Sequence, residues 1–140
     1  MTGSDMPAQG ITGVNHVTLV VADLPRSVQF YSDILGCVLR AQWARGAYLD
    51  AGGLWLCLEL GEPDIRDDDT HLALSCADDQ FPALARRIAA HAPQWKENRS
   101  EGASLYFLDP DGHKLELHLG DMSSRLAQYR RFPPDGYREF

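Results

Sequence analysis

The sequence predicts an α+β fold of two βαβββ modules in tandem, and three observations predict it. Short runs with strand-like alternation recur on both sides of an acidic loop near the midpoint. In each half the first such run is followed by one helical stripe. The pieces also repeat: His16 and His71 are 55 residues apart, as are Ala22-Asp23 and Ala77-Asp78, and Tyr48-Leu49-Asp50 resembles Phe107-Leu108-Asp109 at a shift of 59. A chain of 140 residues is the size of one domain, with modules expected over residues 11–60 and 70–120 and a closing helix over 121–131.

The first ten residues are small and polar and read as a loose tail. Over residues 14–21, Val14, His16, Thr18 and Val20 share one face and Asn15, Val17, Leu19 and Val21 the other, which is strand periodicity. Asp23 can cap a helix and Pro25 fits its first turn. Leu24, Val28, Tyr31 and Leu35 make the helical stripe, and Gly36 is the stop. Strands follow at 38–43, 47–50 and 54–60, separated by Gly46 and by Gly52-Gly53. Residues 61–70, with Pro63 and Asp67-Asp68-Asp69, form the midpoint loop. The order then restarts with a strand at 71–76, a helix striped by Phe81, Leu84 and Ile88, and strands at 94–96, 104–108 and 113–119. Asp109-Pro110-Asp111-Gly112 punctuates the last hairpin.

Composition narrows the function classes. The net charge is −7, so long-range electrostatics disfavour nucleic acid and anionic membranes. An anionic substrate therefore needs a site that makes its own positive charge. Cys37, Cys57 and Cys76 are far apart and form no CxxC, against both a disulfide framework and a thiolate zinc site. No apolar run reaches the roughly 18 residues of a membrane span, and the first residues lack a signal-peptide pattern. A soluble, cytoplasmic protein is expected.

Three strands share one peculiarity. His16 lies opposite Val17, Leu19 and Val21; His71 opposite Leu72, Leu74 and Cys76; Glu116 opposite Leu115, Leu117 and Leu119. One face of each is apolar and the other carries a metal-competent group. Two imidazoles and a carboxylate suit zinc, iron or manganese and leave coordination positions open. A solvated polar sheet face is the other reading of the same pattern. At the shift of 59, Cys57 stands where Glu116 stands. Lys96, Tyr106 and Arg125 are candidates for holding an oxyanion. Trp43, Tyr48 and Trp55 are candidates for walling a pocket or for filling a core. The polar loop from Asn98 to Ser104 is rich in oxygen donors.

Several stretches together resemble the glutathione-dependent fosfomycin-resistance transferases of the vicinal-oxygen-chelate, or glyoxalase/dioxygenase, superfamily. They are Asn15-His16-Val17-Thr18, Trp55-Leu56-Cys57-Leu58, the run from Trp95 to Gly102, the run from Tyr106 to Glu116, and Arg125-Leu126. The resemblance extends from Ile11 to Tyr129, and the stretch from Trp95 to Glu116 is its specific part.

The resemblance implies a paired βαβββ fold, a curved mixed sheet around a metal site, and a homodimer with exchanged modules. It implies manganese on His16, His71 and Glu116, with His16 from one chain and the other two from its partner; zinc and iron are the other metals the set accepts. It implies potassium on Asn98, Ser100, Gly102 and Ser104. Lys96, Ser100, Tyr106 and Arg125 match phosphonate-binding positions, with Trp55 beside the substrate. Thr18 matches the residue beside the attacked epoxide, and Tyr48 the hydroxyl that assists the thiol. Trp43 and Arg99 match the region where glutathione would lie. The implied activity is addition of glutathione to the epoxide of fosfomycin, conferring antibiotic resistance. The midpoint loop over 62–69 looks shorter and more acidic than in that family. Rival readings from the superfamily are a fosfomycin epoxide hydrolase, a transferase using another thiol, an extradiol dioxygenase or glyoxalase, and a drug-binding protein without catalysis. A hydrolase would need a carboxylate base near the metal; no acidic residue near Trp55 is an obvious candidate, and Glu59 is the one left open.

Overall fold

A computed structural model describes residues 9–99 and 101–140. In the first half β1 (His16–Val21) leads into α1 (Leu24–Gln29), followed by β2 (Val38–Trp43), β3 (Gly46–Ala51) and β4 (Leu54–Leu60). In the second, β5 (Leu72–Leu74) leads into α2 (Phe81–His91), followed by β6 (Gln94–Lys96), β7 (Ser104–Leu108) and β8 (Lys114–His118); α3 (Met122–Arg131) comes last. Both halves have one ladder order, β1-β4-β3-β2 and β5-β8-β7-β6. In each the first pair of that order, β1–β4 and β5–β8, is parallel and the rest are antiparallel. Thr18 pairs with Cys57 and Ala73 with Glu116. Cys57 therefore holds in the first sheet the place of Glu116 in the second.

The expectation of one curved mixed sheet around a metal site, in a module-exchanged dimer, is corrected. The strands form two four-stranded sheets, neither curled closed, with no ladder between them among the described residues. The reason lies in the strand alternation. The apolar faces of both sheets turn onto one shared core, with Leu49, Leu56 and Leu58 from the first half and Ile88, Phe107, Leu115 and Leu117 from the second. Alternate side chains must then point the other way, so the two polar faces look away from this core. An exchanged dimer is no part of this single-chain structure.

Local chemistry explains the element ends. Asp23 caps α1 by accepting from the Arg26 N–H at 3.0 Å. The expected stripe is only partly α-helical: α1 ends at Gln29 and a wider π turn covers Phe30–Ile34, closed by the Leu35 N–H on the Phe30 carbonyl at 3.2 Å. The extra residue in the turn lets Phe30 and Tyr31 both face the core. Gly36, at φ 78°, then permits a left-handed stop. Asp121 and Ser124 exchange side-chain bonds to each other's backbone N–H and cap α3. The strand expected over 71–76 is shorter, Leu72–Leu74. Of the expected tail, residues 1–8 lie outside the described residues.

A polar clasp joins the halves. The β7–β8 turn aims Asp111 at the β1–α1 junction, where its carboxylate accepts from the Ala22 N–H at 3.1 Å, Arg26 at 2.9 Å and the Ser27 hydroxyl at 3.3 Å. Tyr31 donates to Asp109 at 2.8 Å, and His113 Nε2 donates to the Val20 carbonyl at 2.7 Å. Buried polar groups must be paired, and here the pairing ties the strand that carries His16 to the sheet that carries Glu116.

Candidate functional site

The outer face of the second sheet holds the more developed constellation. His71 directly precedes β5, and its Nε2 lies 2.9 Å from Glu116 Oε1 on β8. Its Nδ1 donates to the Asp69 carbonyl at 2.6 Å. A neutral imidazole has one N–H, so with that proton on Nδ1 a lone pair on Nε2 confronts a carboxylate oxygen. A cation between them turns this opposition into attraction, so the pair fits a divalent metal. Glu116 is only 6% exposed, and its other oxygen accepts from the Ser104 hydroxyl at 2.6 Å. Ser104 in turn accepts from His118 Nδ1 at 2.6 Å. Such outer bonds fix a ligand's orientation and charge.

The register places oxyanion candidates beside this pair. Lys96 pairs with Tyr106, and Tyr106 with Glu116. Lys96 Nζ lies 5.4 Å over the Tyr106 ring and 3.1 Å from Asp69 Oδ2. Trp95 packs against His71 and Tyr106, at centroid distances of 5.4 and 5.2 Å, with its indole N–H on the Leu115 carbonyl. Arg125, on α3, is held by Glu101, whose Oε2 accepts from Nε at 3.2 Å. Desolvation works to lower the guanidinium, but Glu101 and Tyr129 outweigh it and hold the group above its ordinary value. Asn98 donates to the Gly102 carbonyl at 2.8 Å. That oxygen keeps a second lone pair, which leaves the loop's oxygen set compatible with a hard cation. Ser100 lies outside the described residues. Arg99 is exposed beside Glu97, at 3.7 Å, and the structure does not bring it to either constellation.

The outer face of the first sheet is an aromatic cleft of about 600 Å³ whose lining includes His16, Thr18, Trp43, Tyr48 and Trp55. His16 Nδ1 donates to Asn15 at 2.7 Å, leaving Nε2 as a donor atom for a metal. The His16 ring lies 4.6 Å from Trp55, Trp55 lies 5.2 Å from Tyr48, and Tyr48 lies 4.8 Å from Trp43. A Cβ on Gly46 would lie 2.5 Å from the Trp43 ring, so this glycine leaves the room Trp43 occupies. Arg45, Cys57 and Glu59 line the same cleft.

His16 and the His71–Glu116 pair thus stand on different sheets. Among the described residues no three His, Cys, Asp or Glu side chains gather as a metal cluster within one chain. Sequence reasoning missed Asp69 and Glu101 as partners of Lys96 and Arg125. Ion pairs 27 and 24 residues apart in the chain leave no periodic trace. His118 was visible as the residue two beyond Glu116 on the same strand face, but its bond to Ser104 was not.

A family model described as the Glyoxalase/Bleomycin resistance protein/Dioxygenase superfamily matches residues 13–117. Glutathione transferase FosA of Serratia marcescens is 48% identical over 132 residues, covering 90% of this chain and 94% of that protein. Metallothiol transferase FosB of Shouchella clausii is 36% identical over 135 residues, covering 89% and 92%. Among solved structures, a variant of the fosfomycin resistance protein FosX from Listeria monocytogenes, complexed with Mn(II) and 1S,2S-dihydroxypropylphosphonic acid, matches with a TM-score of 0.74. It is 27% identical and covers 84% of this chain and 99% of that one. No helix among the described residues is long and apolar enough to cross a membrane.

Proposed function

The chain belongs to the glyoxalase/bleomycin resistance protein/dioxygenase superfamily, and from that premise we propose that it inactivates fosfomycin by opening the epoxide ring with a thiol, glutathione. The observation that carries this is the pairing of His71 Nε2 with Glu116 Oε1 at 2.9 Å, with Lys96 and Tyr106 on the same face. His71, Glu116 and His16 would hold manganese. Because His16 stands on the other sheet, a second copy of the chain supplies it, so the enzyme acts as a homodimer. When bound, such an ion supplies Lewis-acid polarisation of the epoxide oxygen.

The chain's own residues do the rest. Lys96 and Arg125 bind the phosphonate and offset its charge, which an acidic chain would otherwise repel. Tyr106 and Ser100 add hydroxyls to that anion site. Trp55 and Thr18 line the wall against which the epoxide lies. Tyr48 takes a hydrogen bond from the thiol, whose pKa is about 8.5, and Trp43 guides the thiol's peptide portion. Asn98, Gly102, Ser104 and Ser100 would hold potassium, which would supply further positive charge to the anion site.

The relatives as a group support an enzyme acting on fosfomycin-like substrates better than they support glutathione in particular. They include a glutathione transferase, metallothiol transferases and a structure holding a diol. Hydration is the second reading. The diol is what water gives on opening an epoxypropylphosphonate, and Glu59, which lines the His16 cleft, is the carboxylate that would serve as its base. Water, with a pKa of about 15.7, needs such a base or a metal hydroxide. The test is NMR of the product formed with a panel of thiols and with none, manganese and potassium present. The expected product is the glutathione adduct. A diol formed at the same rate with and without glutathione would replace this reading with hydration, and faster turnover with another thiol would reassign the nucleophile.

A further inference from the structure

We propose that the Asp69 carboxylate is an internal competitor for the substrate anion: it occupies Lys96 and must be displaced when a phosphonate binds. The inference rests on the assignment of Lys96 to the phosphonate.

Asp69 does two separable things. Its backbone carbonyl accepts from His71 Nδ1 at 2.6 Å, and its carboxylate accepts from Lys96 Nζ at 3.1 Å. The neighbouring Asp68 is committed to its own loop, where it accepts from Arg66 Nε at 2.9 Å and from the Thr70 N–H at 3.0 Å. The Arg66 side chain and the Thr70 N–H hold Asp68 well below the usual carboxylate range. Lys114 anchors that loop through the Arg66 carbonyl. With its carbonyl engaged and its neighbour locked, Asp69 presents its carboxylate to the face of Lys96 and Tyr106.

The pair is placed to exchange. The side chains of Lys96 and Asp69 are 42% and 72% exposed. An ion pair in solvent is weak and screened, so a dianion can take the cation from it. Binding swaps one ionic contact for another, with no covalent bond made or broken. Arg125 is already paired with Glu101, on a less exposed contact. Both cations of the anion site therefore carry a carboxylate partner, and Lys96 holds the more easily displaced one.

The experiment uses the manganese-loaded enzyme and compares Asp69→Asn, Lys96→Ala and the double variant. It reads the KM for fosfomycin, inhibition by inorganic phosphate, and manganese affinity by EPR titration. Asp69→Asn keeps the carbonyl and removes the charge. It should lower both KM and the phosphate inhibition constant roughly 1.5- to 5-fold, less so at high salt, and leave manganese affinity unchanged. Lys96→Ala should raise KM, and adding Asp69→Asn to it should give no gain. If Lys96→Ala raises KM while Asp69→Asn leaves it unchanged or higher, Asp69 is no competitor. If Lys96→Ala changes neither constant, the phosphonate assignment itself fails. A loss of manganese affinity in Asp69→Asn would show that the carboxylate supports His71, which overturns the separation of roles.

Discussion

The outer faces of the two sheets share one strand order but are built of different materials. On the second, Glu116 is buried and hydrogen-bonded through Ser104 to His118, and His71 is oriented by a carbonyl. On the first, His16 is exposed, held by its neighbour Asn15 and flanked by an aromatic row of Trp55, Tyr48 and Trp43. One face is a preorganised imidazole–carboxylate pair; the other is a cleft with one exposed imidazole at its edge. Duplicated topology therefore does not duplicate chemistry. The divergence is visible at a single equivalent position, Cys57 against Glu116: the thiol can sit in a buried site without partners, whereas the carboxylate demands them.

Removing the carboxylate should give the largest effect. Glu116→Ala should lower manganese affinity more than about 100-fold, beyond what loss of an outer partner costs, and abolish turnover. Unchanged manganese binding by EPR would move the metal away from this face. In the mirror experiment, inactive His16→Ala and Glu116→Ala proteins are mixed under conditions of proven subunit exchange. Activity should return, because one site per mixed dimer is intact; silence would show that the two faces do not cooperate between chains.

The clasp comes next in size. Asp111→Ala leaves Arg26, Ser27 and the Ala22 N–H without their partner. It should cost about 2–4 kcal/mol of stability in urea denaturation; a loss within error would mean that the Asp111 bonds add nothing to the apolar core and the remaining clasp contacts. A smaller effect separates the faces directly. Ser104→Ala should weaken manganese binding about 10- to 100-fold, whereas Asn15→Ala, at an exposed local contact, should cost clearly less than about tenfold. Equal losses would erase the proposed contrast.

The smallest effect is alkaline and belongs to the first half. Burial pushes the Cys37 thiol from 9.0 up to about 11, and burial together with Asp109 raises Tyr31 well above 10.0. Both groups are favoured neutral in the folded chain. Their contribution is therefore complete below the ordinary pKa of each and is lost as pH rises through the raised one. Stability should decline above about pH 9, and Cys37→Ala should flatten the early part of that decline. An identical pH profile would place the alkaline sensitivity elsewhere.

Much of this was readable in the chain. Period-two alternation placed His16 and Glu116 on the polar faces of strands, because a strand cannot put neighbouring residues on one side; His71 lies just before the strand expected to hold it. Asp23 and Gly36 bounded the first helical segment as capping chemistry requires. The π turn at Phe30–Ile34 was not readable, since it trades one local hydrogen-bond register for another to place Phe30 and Tyr31 in a core made by distant strands. The Ser104–His118 bond and the Asp69–Lys96 pair were equally hidden, because each joins segments that meet only after the sheet has formed.

By itself, then, the sequence determined the elements, their repeat, and which face of each strand is apolar. These are consequences of backbone geometry and side-chain hydrophobicity acting over a few residues. Only the tertiary structure decided that there are two sheets instead of one, that their apolar faces share a core, and that His16 is thereby parted from His71 and Glu116. Those outcomes depend on which apolar surfaces find each other across the whole chain, and alternation fixes that a face is buried without naming the face that buries it.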